Sequence, residues 1–213
     1  MLITDLGLIH YTDALALQEE AVERVTNGGE EQLFLLEHYP VISFGRNGGE
    51  ENLPLSEDFF ASQGITIIKT RRGGNITCHF PGQLVVYPIM RIDKQPGGLK
   101  QFFFNLEETV IQTLNHFTVN AARQDKRPGV WLDSRKICSI GIAVSHWITS
   151  HGLALNIGND LSLFDMVTPC GLPGVTATSL HREIGNDTVS MQEVKEVFVR
   201  NFLTTFERKE NGV

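Results

Sequence analysis

The chain has 213 residues, 41% hydrophobic and 20% charged, enough for one soluble globular unit with a sizeable core. A formal net charge of −7 argues against general nucleic-acid binding, and no stretch approaches the ~18 uninterrupted apolar residues of a membrane span. Three cysteines without CxxC spacing argue against a disulfide framework or a structural zinc site, and with no basic, apolar leader at the N-terminus they point to a reducing cytoplasm.

Periodicity predicts a single α/β unit spanning residues 1–213, with strands interleaved among three helices and no linker or repeat. The first helix runs from about Tyr11 to Asn27, with Ala14, Leu17, Ala21, Val22 and Val25 on one stripe and Gly28-Gly29 as its stop. Strand-like runs follow at 32–38, 41–44, 65–70 and 84–90. A second helix, roughly Leu99 to Phe117, repeats Leu99, Phe102, Phe103, Leu106, Val110, Leu114 and Phe117 at helical spacing, which marks a core stripe. Runs at 137–144 and 147–157 around Ser145-His146 predict a hairpin, with Lys136 at a strand end. The last helix opens with Ser190 and Glu193 in capping-box spacing, and Val194, Val197, Phe198, Phe202 and Phe206 form its buried face.

Charge is unevenly distributed. Residues 1–68 carry 2 basic and 12 acidic side chains, residues 69–136 carry 11 and 5, and residues 137–213 carry 5 and 8. The middle third is a basic island that includes Lys94, Lys100, Arg123 and Lys126. Sharing a face, these charges would steer an acidic partner such as a carrier protein toward the molecule.

Two residues suggest covalent chemistry. Cys170 sits in Pro169-Cys170-Gly171, where proline restricts the backbone before it and glycine frees the backbone after it. Lys136 can serve as the base that draws out the thiolate. Cys78 and Cys138 are the rival thiols, and on a regular strand Cys138 would share a face with Lys136 and border the site. His79 or His151 with a cysteine would suggest a hydrolase, but neither has an identifiable orienting Asp or Asn. The glycine-rich segment from Arg71 to Gln83 reads as a loop between two strands whose N–H groups can cradle an electron-rich oxygen. It is not a nucleotide fingerprint, and no metal-ligand cluster is evident.

Four separated motifs resemble, in order and spacing, the lipoyl(octanoyl) transferases. They are Arg71-Arg72-Gly73-Gly74-Asn75-Ile76-Thr77-Cys78-His79, Gly129-Val130-Trp131 leading to Arg135-Lys136-Ile137-Cys138-Ser139-Ile140-Gly141, His151-Gly152-Leu153-Ala154-Leu155-Asn156, and Pro169-Cys170-Gly171-Leu172. The stretches Tyr11–Gln18 and Glu37–Val41 extend the likeness over nearly the whole chain. Cys78 and Phe80 depart from it, since an aromatic and a small residue are commoner on either side of the histidine.

This resemblance implies the fold of lipoate- and biotin-protein ligase catalytic domains, a mixed sheet surrounded by helices. It implies an acyltransferase that takes octanoyl from octanoyl-acyl carrier protein, holds it as a thioester on Cys170, and passes it to a lysine of lipoyl domains. The acceptors implied are the lipoyl domains of 2-oxoacid dehydrogenases and the glycine cleavage H protein. Lys136 would be the base. The acyl site would be lined by Arg72, Gly73, Gly74, Asn75, Ile76, Thr77, Cys78 and His79, by Ser139, Ile140 and Gly141, and by Gly152, Leu153 and Ala154, with His38, Tyr87 and His151 as further wall candidates. Thioester exchange and thioester-to-amide transfer need no ATP, metal or other cofactor. The alternatives are an ATP-dependent lipoate ligase, which would not depend on Cys170, and a noncatalytic carrier-binding module.

Overall fold

The structure is a computed structural model and describes residues 1–48, 53–93, 97–167 and 176–207. In chain order its elements are β1 (Leu2–Ile9), α1 (Tyr11–Thr26), β2 (Gln32–His38), β3 (Val41–Phe44), α2 (Glu57–Ser62), β4 (Thr66–Lys69), β5 (Ile76–His79), β6 (Gln83–Ile89), α3 (Gly98–His116), β7 (Ala122–Gln124), β8 (Arg127–Leu132), β9 (Arg135–Ser145), β10 (Ile148–Asn156), α4 (Ser162–Asp165), β11 (Thr176–Ala177), α5 (Leu180–Ile184) and α6 (Met191–Glu207).

The large sheet has the order β1-β2-β6-β10-β9-β8-β7, with β11 pairing to β9. It is mixed: β1 runs parallel to β2, β11 runs parallel to β9, and the other pairs are antiparallel. The central strands read as unbroken apolar runs because helices cover both faces. Leu33, Leu35, Leu84 and Val86 pack with Phe102, Leu106 and Val110 of α3 and Val194, Phe198 and Phe202 of α6. The alternate residues Phe34, Leu36, Val85 and Tyr87 pack with Ala14, Ala21 and Val25 of α1. The expected helical stripes are thus core, except for Leu99 in the first turn of α3, which is exposed at 42%.

Local chemistry starts and stops these elements as their residues dictate. Ser190 Oγ accepts from the Glu193 backbone N–H at 3.2 Å while the Glu193 carboxylate accepts from the Ser190 N–H at 2.7 Å, a reciprocal cap on α6. The β9–β10 hairpin turns through His146 and Trp147, both with positive φ, and Lys136 is the second residue of β9.

A smaller sheet, β4-β3-β5, stands beside the large one. Its core contains Ile42, Phe44, Phe60, Ile76, Cys78 and Phe80. The segment from Arg71 to Gln83 is therefore not wholly a loop. Residues 76–79 form β5, whose partners Val41, Ile42, Ser43 and Phe44 lie on a strand distant in sequence, and only the glycine turn before it and the short turn at 80–82 after it are irregular. Gly73 donates its N–H to the Ile142 carbonyl at 2.9 Å, which seats that turn on β9. The approach requires Gly141, because a Cβ there would lie 2.9 Å from the Gly73 carbonyl oxygen.

Candidate active site

A cavity of about 360 Å³ opens between the glycine turn of the small sheet and the β9–β10 hairpin of the large one. Its walls carry Arg72, Gly74, Asn75, Ile76, Thr77 and His79 from one side and Ser139, Ile140, Gly141, Gly152, Leu153 and Ala154 from the other. The last six residues come from two motifs yet form three consecutive rungs of one ladder, Ala154 opposite Ser139, Leu153 opposite Ile140, and Gly152 opposite Gly141. Tyr87 and His151 line the cavity as well, whereas His38 stands behind Tyr87.

Two of the expected lining residues lie elsewhere. Cys78 is fully buried in the small-sheet core, with its thiol 3.6 Å from the Leu163 carbonyl, because alternation along β5 turns it away from its neighbours Thr77 and His79. Gly73 is absent from the wall, and its N–H is engaged with Ile142, so it is not a free oxyanion donor. Residues that the sequence reading did not place on the wall include Tyr11, Asn47, Lys126, Arg127, Pro128 and Trp131. Gly129-Val130-Trp131 was visible as a motif, but nothing in its spacing indicated that the indole faces the cavity.

Lys136 lines the cavity and Cys138 does not. Val130 pairs with Cys138, while Trp131 pairs with Lys136, leaving Ile137 as an extra residue in β9. This bulge breaks the two-residue alternation, and Ile137 and Cys138 both enter the core shared with α3. The expected common face of Lys136 and Cys138 is therefore lost. Burial pushes the Cys138 thiol up to about 12, although the Lys136 charge acts in the opposite direction. Cys170 lies outside the described residues, as do Pro169 and Gly171.

Arg72 is buried at 6% exposure and ties the glycine turn to β3, donating from Nε to Ser43 Oγ at 3.2 Å and from Nη1 to the Gly73 carbonyl at 3.1 Å. Its guanidinium lies among polar rings that stay neutral. Burial depresses His38 to about 4, and burial together with the Arg72 charge does the same for His151. Burial, the neighbouring His38 and Arg72 also hold His79 well below the usual histidine value. Tyr11 and Tyr87 are raised, chiefly by burial.

Hydrogen bonds define these neutral forms. The Ile9 carbonyl can only accept, so His38 donates from Nδ1 at 3.0 Å and its Nε2 accepts from the Tyr87 hydroxyl at 2.8 Å. Gln83 Nε2 donates to Asn156 Oδ1 at 2.9 Å, leaving Gln83 Oε1 to accept from His79 Nδ1 at 2.8 Å. Asn156 Nδ2 donates in turn to the Thr178 carbonyl at 2.9 Å. The histidines thus form part of a supported wall, with none arranged beside a described cysteine as a base.

Among the described residues, no group of three or more His, Cys, Asp or Glu is placed to hold a metal ion, and no helix is long and apolar enough to cross a membrane.

Comparison with known proteins places this architecture. The lipoyl protein ligase A/B catalytic-domain profile matches residues 10–203. The bi-partite lipoate protein ligase of Thermoplasma acidophilum superposes with a TM-score of 0.75 at 17% identity, over 97% of this chain and 85% of that one. The biotin protein ligase of Aquifex aeolicus, in complex with biotin and ATP, gives a TM-score of 0.58 at 13% identity, over 99% and 73% respectively. These likenesses establish the expected fold. An octanoyltransferase from Nitratidesulfovibrio vulgaris (strain DSM 19637 / Miyazaki F) is 59% identical over 206 residues, 97% of this chain and 94% of the relative. The chain belongs to the lipoyl protein ligase A/B catalytic-domain family, among its octanoyltransferases.

Proposed function

We propose that the protein transfers an octanoyl group from octanoyl-acyl carrier protein to a lysine of a lipoyl domain, through a thioester on Cys170 with Lys136 as the base. The observation that carries this reading is a cavity lined by Ile76, Ile140, Leu153 and Ala154 that also receives the Lys136 side chain. An acyl chain fits the apolar wall, and its reacting end needs a nucleophile beside the amine. The buried, raised thiol of Cys138 is unsuited to attack, and the thiol of Cys78 is packed in a separate core.

Lys136 accepts the Cys170 proton, and the thiolate attacks the thioester carbonyl. As the carrier C–S bond breaks, the Lys136 ammonium returns its proton to the departing thiolate. The acceptor amine then attacks the enzyme thioester, the amide C–N bond forms, and the proton lost from nitrogen ends on the released Cys170 thiolate by way of Lys136. The exchange is nearly balanced and the amide step runs downhill, so the sequence is complete without ATP. A reducing cytoplasm would keep such a thiol available, and the lipoyl domains of 2-oxoacid dehydrogenases and the glycine cleavage H protein are the acceptors this reading favours.

Incubation with octanoyl-acyl carrier protein, followed by intact-mass and tryptic-peptide analysis, tests the proposal. The octanoyl group is expected on the peptide bearing Cys170, with transfer abolished in Cys170→Ser and Cys170→Ala. Reproducible acylation of Cys78 or Cys138, or full activity in those variants, would sink it. Transfer that occurs only with free octanoate or lipoate plus ATP would identify a ligase instead.

A further inference from the structure

We propose that Trp131 is a positioning residue for Lys136, its indole face holding the side-chain ammonium at the cavity wall while the thiolate forms; this rests on reading Lys136 as the base. The two residues are direct cross-strand partners, Trp131 on β8 and Lys136 on β9. Lys136 Nζ lies 5.0 Å from the indole centroid, within the range over which an aromatic quadrupole attracts a cation. Trp131 is 2% exposed and Lys136 is half-buried at the cavity wall, so the contact is partly shielded from water.

The surroundings fix both partners. Trp131 Nε1 donates to the Arg127 carbonyl at 3.1 Å, which sets the orientation of the ring. Gly129, with φ of +114°, leaves bare backbone where the lysine chain passes, since a Cβ there would stand 2.7 Å from Lys136 Cε and 2.3 Å from the Cys138 carbonyl oxygen. That stretch of β8 is anchored from α3, because the Gly129 N–H donates to Glu107 Oε1 at 3.0 Å and Glu107 pairs with Arg123 at 3.2 Å. The positive charge that appears on Nζ when it takes the thiol proton therefore appears over a fixed π face. A wall residue that only touched the acyl chain would not need this alignment with the amine.

A double-mutant cycle reads the proposal, using single-turnover acylation of the enzyme by a small octanoyl thioester together with steady-state kcat and KM. Trp131→Leu is expected to slow acylation about tenfold to thirtyfold with KM changed less than about threefold, because the loss falls on the charged state and not on substrate binding. Trp131→Phe keeps a π face and is expected to recover most of the rate. In a Lys136→Ala background, Trp131→Leu is expected to change the residual rate by less than about twofold. An equal loss in both backgrounds would make Trp131 a structural residue, and a raised KM with intact kcat would make it an acyl-wall contact; either overturns the proposal, as does an unchanged rate in Trp131→Leu. Wild-type acylation by Lys136→Ala alone would instead remove the base reading, and the proposal with it. Folding of the leucine variant is followed by far-ultraviolet circular dichroism and its melting transition; where leucine fails to fold, Trp131→Met takes its place in the same cycle, since it keeps apolar bulk without a π face.

Discussion

Thr178 donates its backbone N–H to the Lys136 carbonyl at 2.9 Å. It also receives Asn156 on its own carbonyl and donates its hydroxyl to Glu183, which in turn pairs with Arg135 at 2.6 Å. The register of β11 on β9, with Thr176 opposite Arg135 and Ala177 opposite Lys136, continues the same attachment. Through Gln83 and Asn156, His79 on the cavity wall and the backbone of Lys136 belong to one hydrogen-bonded network.

Replacing Asn156 with Leu should uncouple that network. Gln83 Nε2 and the Thr178 carbonyl lose a buried partner, at a cost of about 1–3 kcal/mol. In a domain of this size the melting temperature is expected to fall by about 2–4 °C per kcal/mol, with a slower transfer rate in parallel. Calorimetry and transfer assays on the same preparation check it, and an unchanged melting temperature would mean the network contributes nothing to stability.

Lys136→Arg is expected to behave as a loss of the base. A guanidinium can hold a positive charge at this position but does not release a proton near neutral pH. Turnover should fall strongly, by about 100-fold or more, in both Lys136→Arg and Lys136→Ala. A rate with arginine near that of the wild type would reduce Lys136 to a fixed charge.

Charge reversal at Lys126, exposed at the cavity lip, and at Lys100, exposed at the start of α3, should raise KM for the carrier-bound donor about threefold or more. The rise should shrink at higher salt, where exposed charges are screened beyond ~8–10 Å. Arg123 is predicted to differ. It pairs with Glu107 at 3.2 Å and Glu108 at 2.7 Å and stacks 3.8 Å over Phe104, so Arg123→Glu should lower stability more than it affects docking. Steady-state kinetics at two ionic strengths separate these outcomes, and KM values equal to wild type would remove the basic island from donor recognition. Lys94 lies outside the described residues.

Acid should weaken the fold below the histidine range. His38 and His151 are depressed to about 4 from 6.5, so between these values the unfolded chain binds more protons than the native one. Stability then rises with pH through this window and falls as pH drops from about 6.5 toward 4, by up to about 3 kcal/mol for each histidine. Urea titrations across the window in the wild type and in His38→Gln measure the difference; the variant should show the shallower pH dependence.

The sequence alone determined much of this protein, because helices and buried strands follow local periodicity. The stripes on α1, α3 and α6, the β9–β10 hairpin and the Ser190–Glu193 cap are all written in neighbouring residues. Motif order was enough to indicate the family and to nominate Lys136. Whatever depends on partners distant along the chain was settled by packing. Residues 76–79 became a strand because Val41–Phe44 offered a ladder, and the extra residue at Ile137 turned Cys138 into the core while Lys136 stayed at the cavity. Trp131 came to face Lys136 by the same register. A period-two pattern cannot reveal a bulge, since the shift is set by the strand across the ladder, and so the choice of which side chains meet in the cavity belonged to packing.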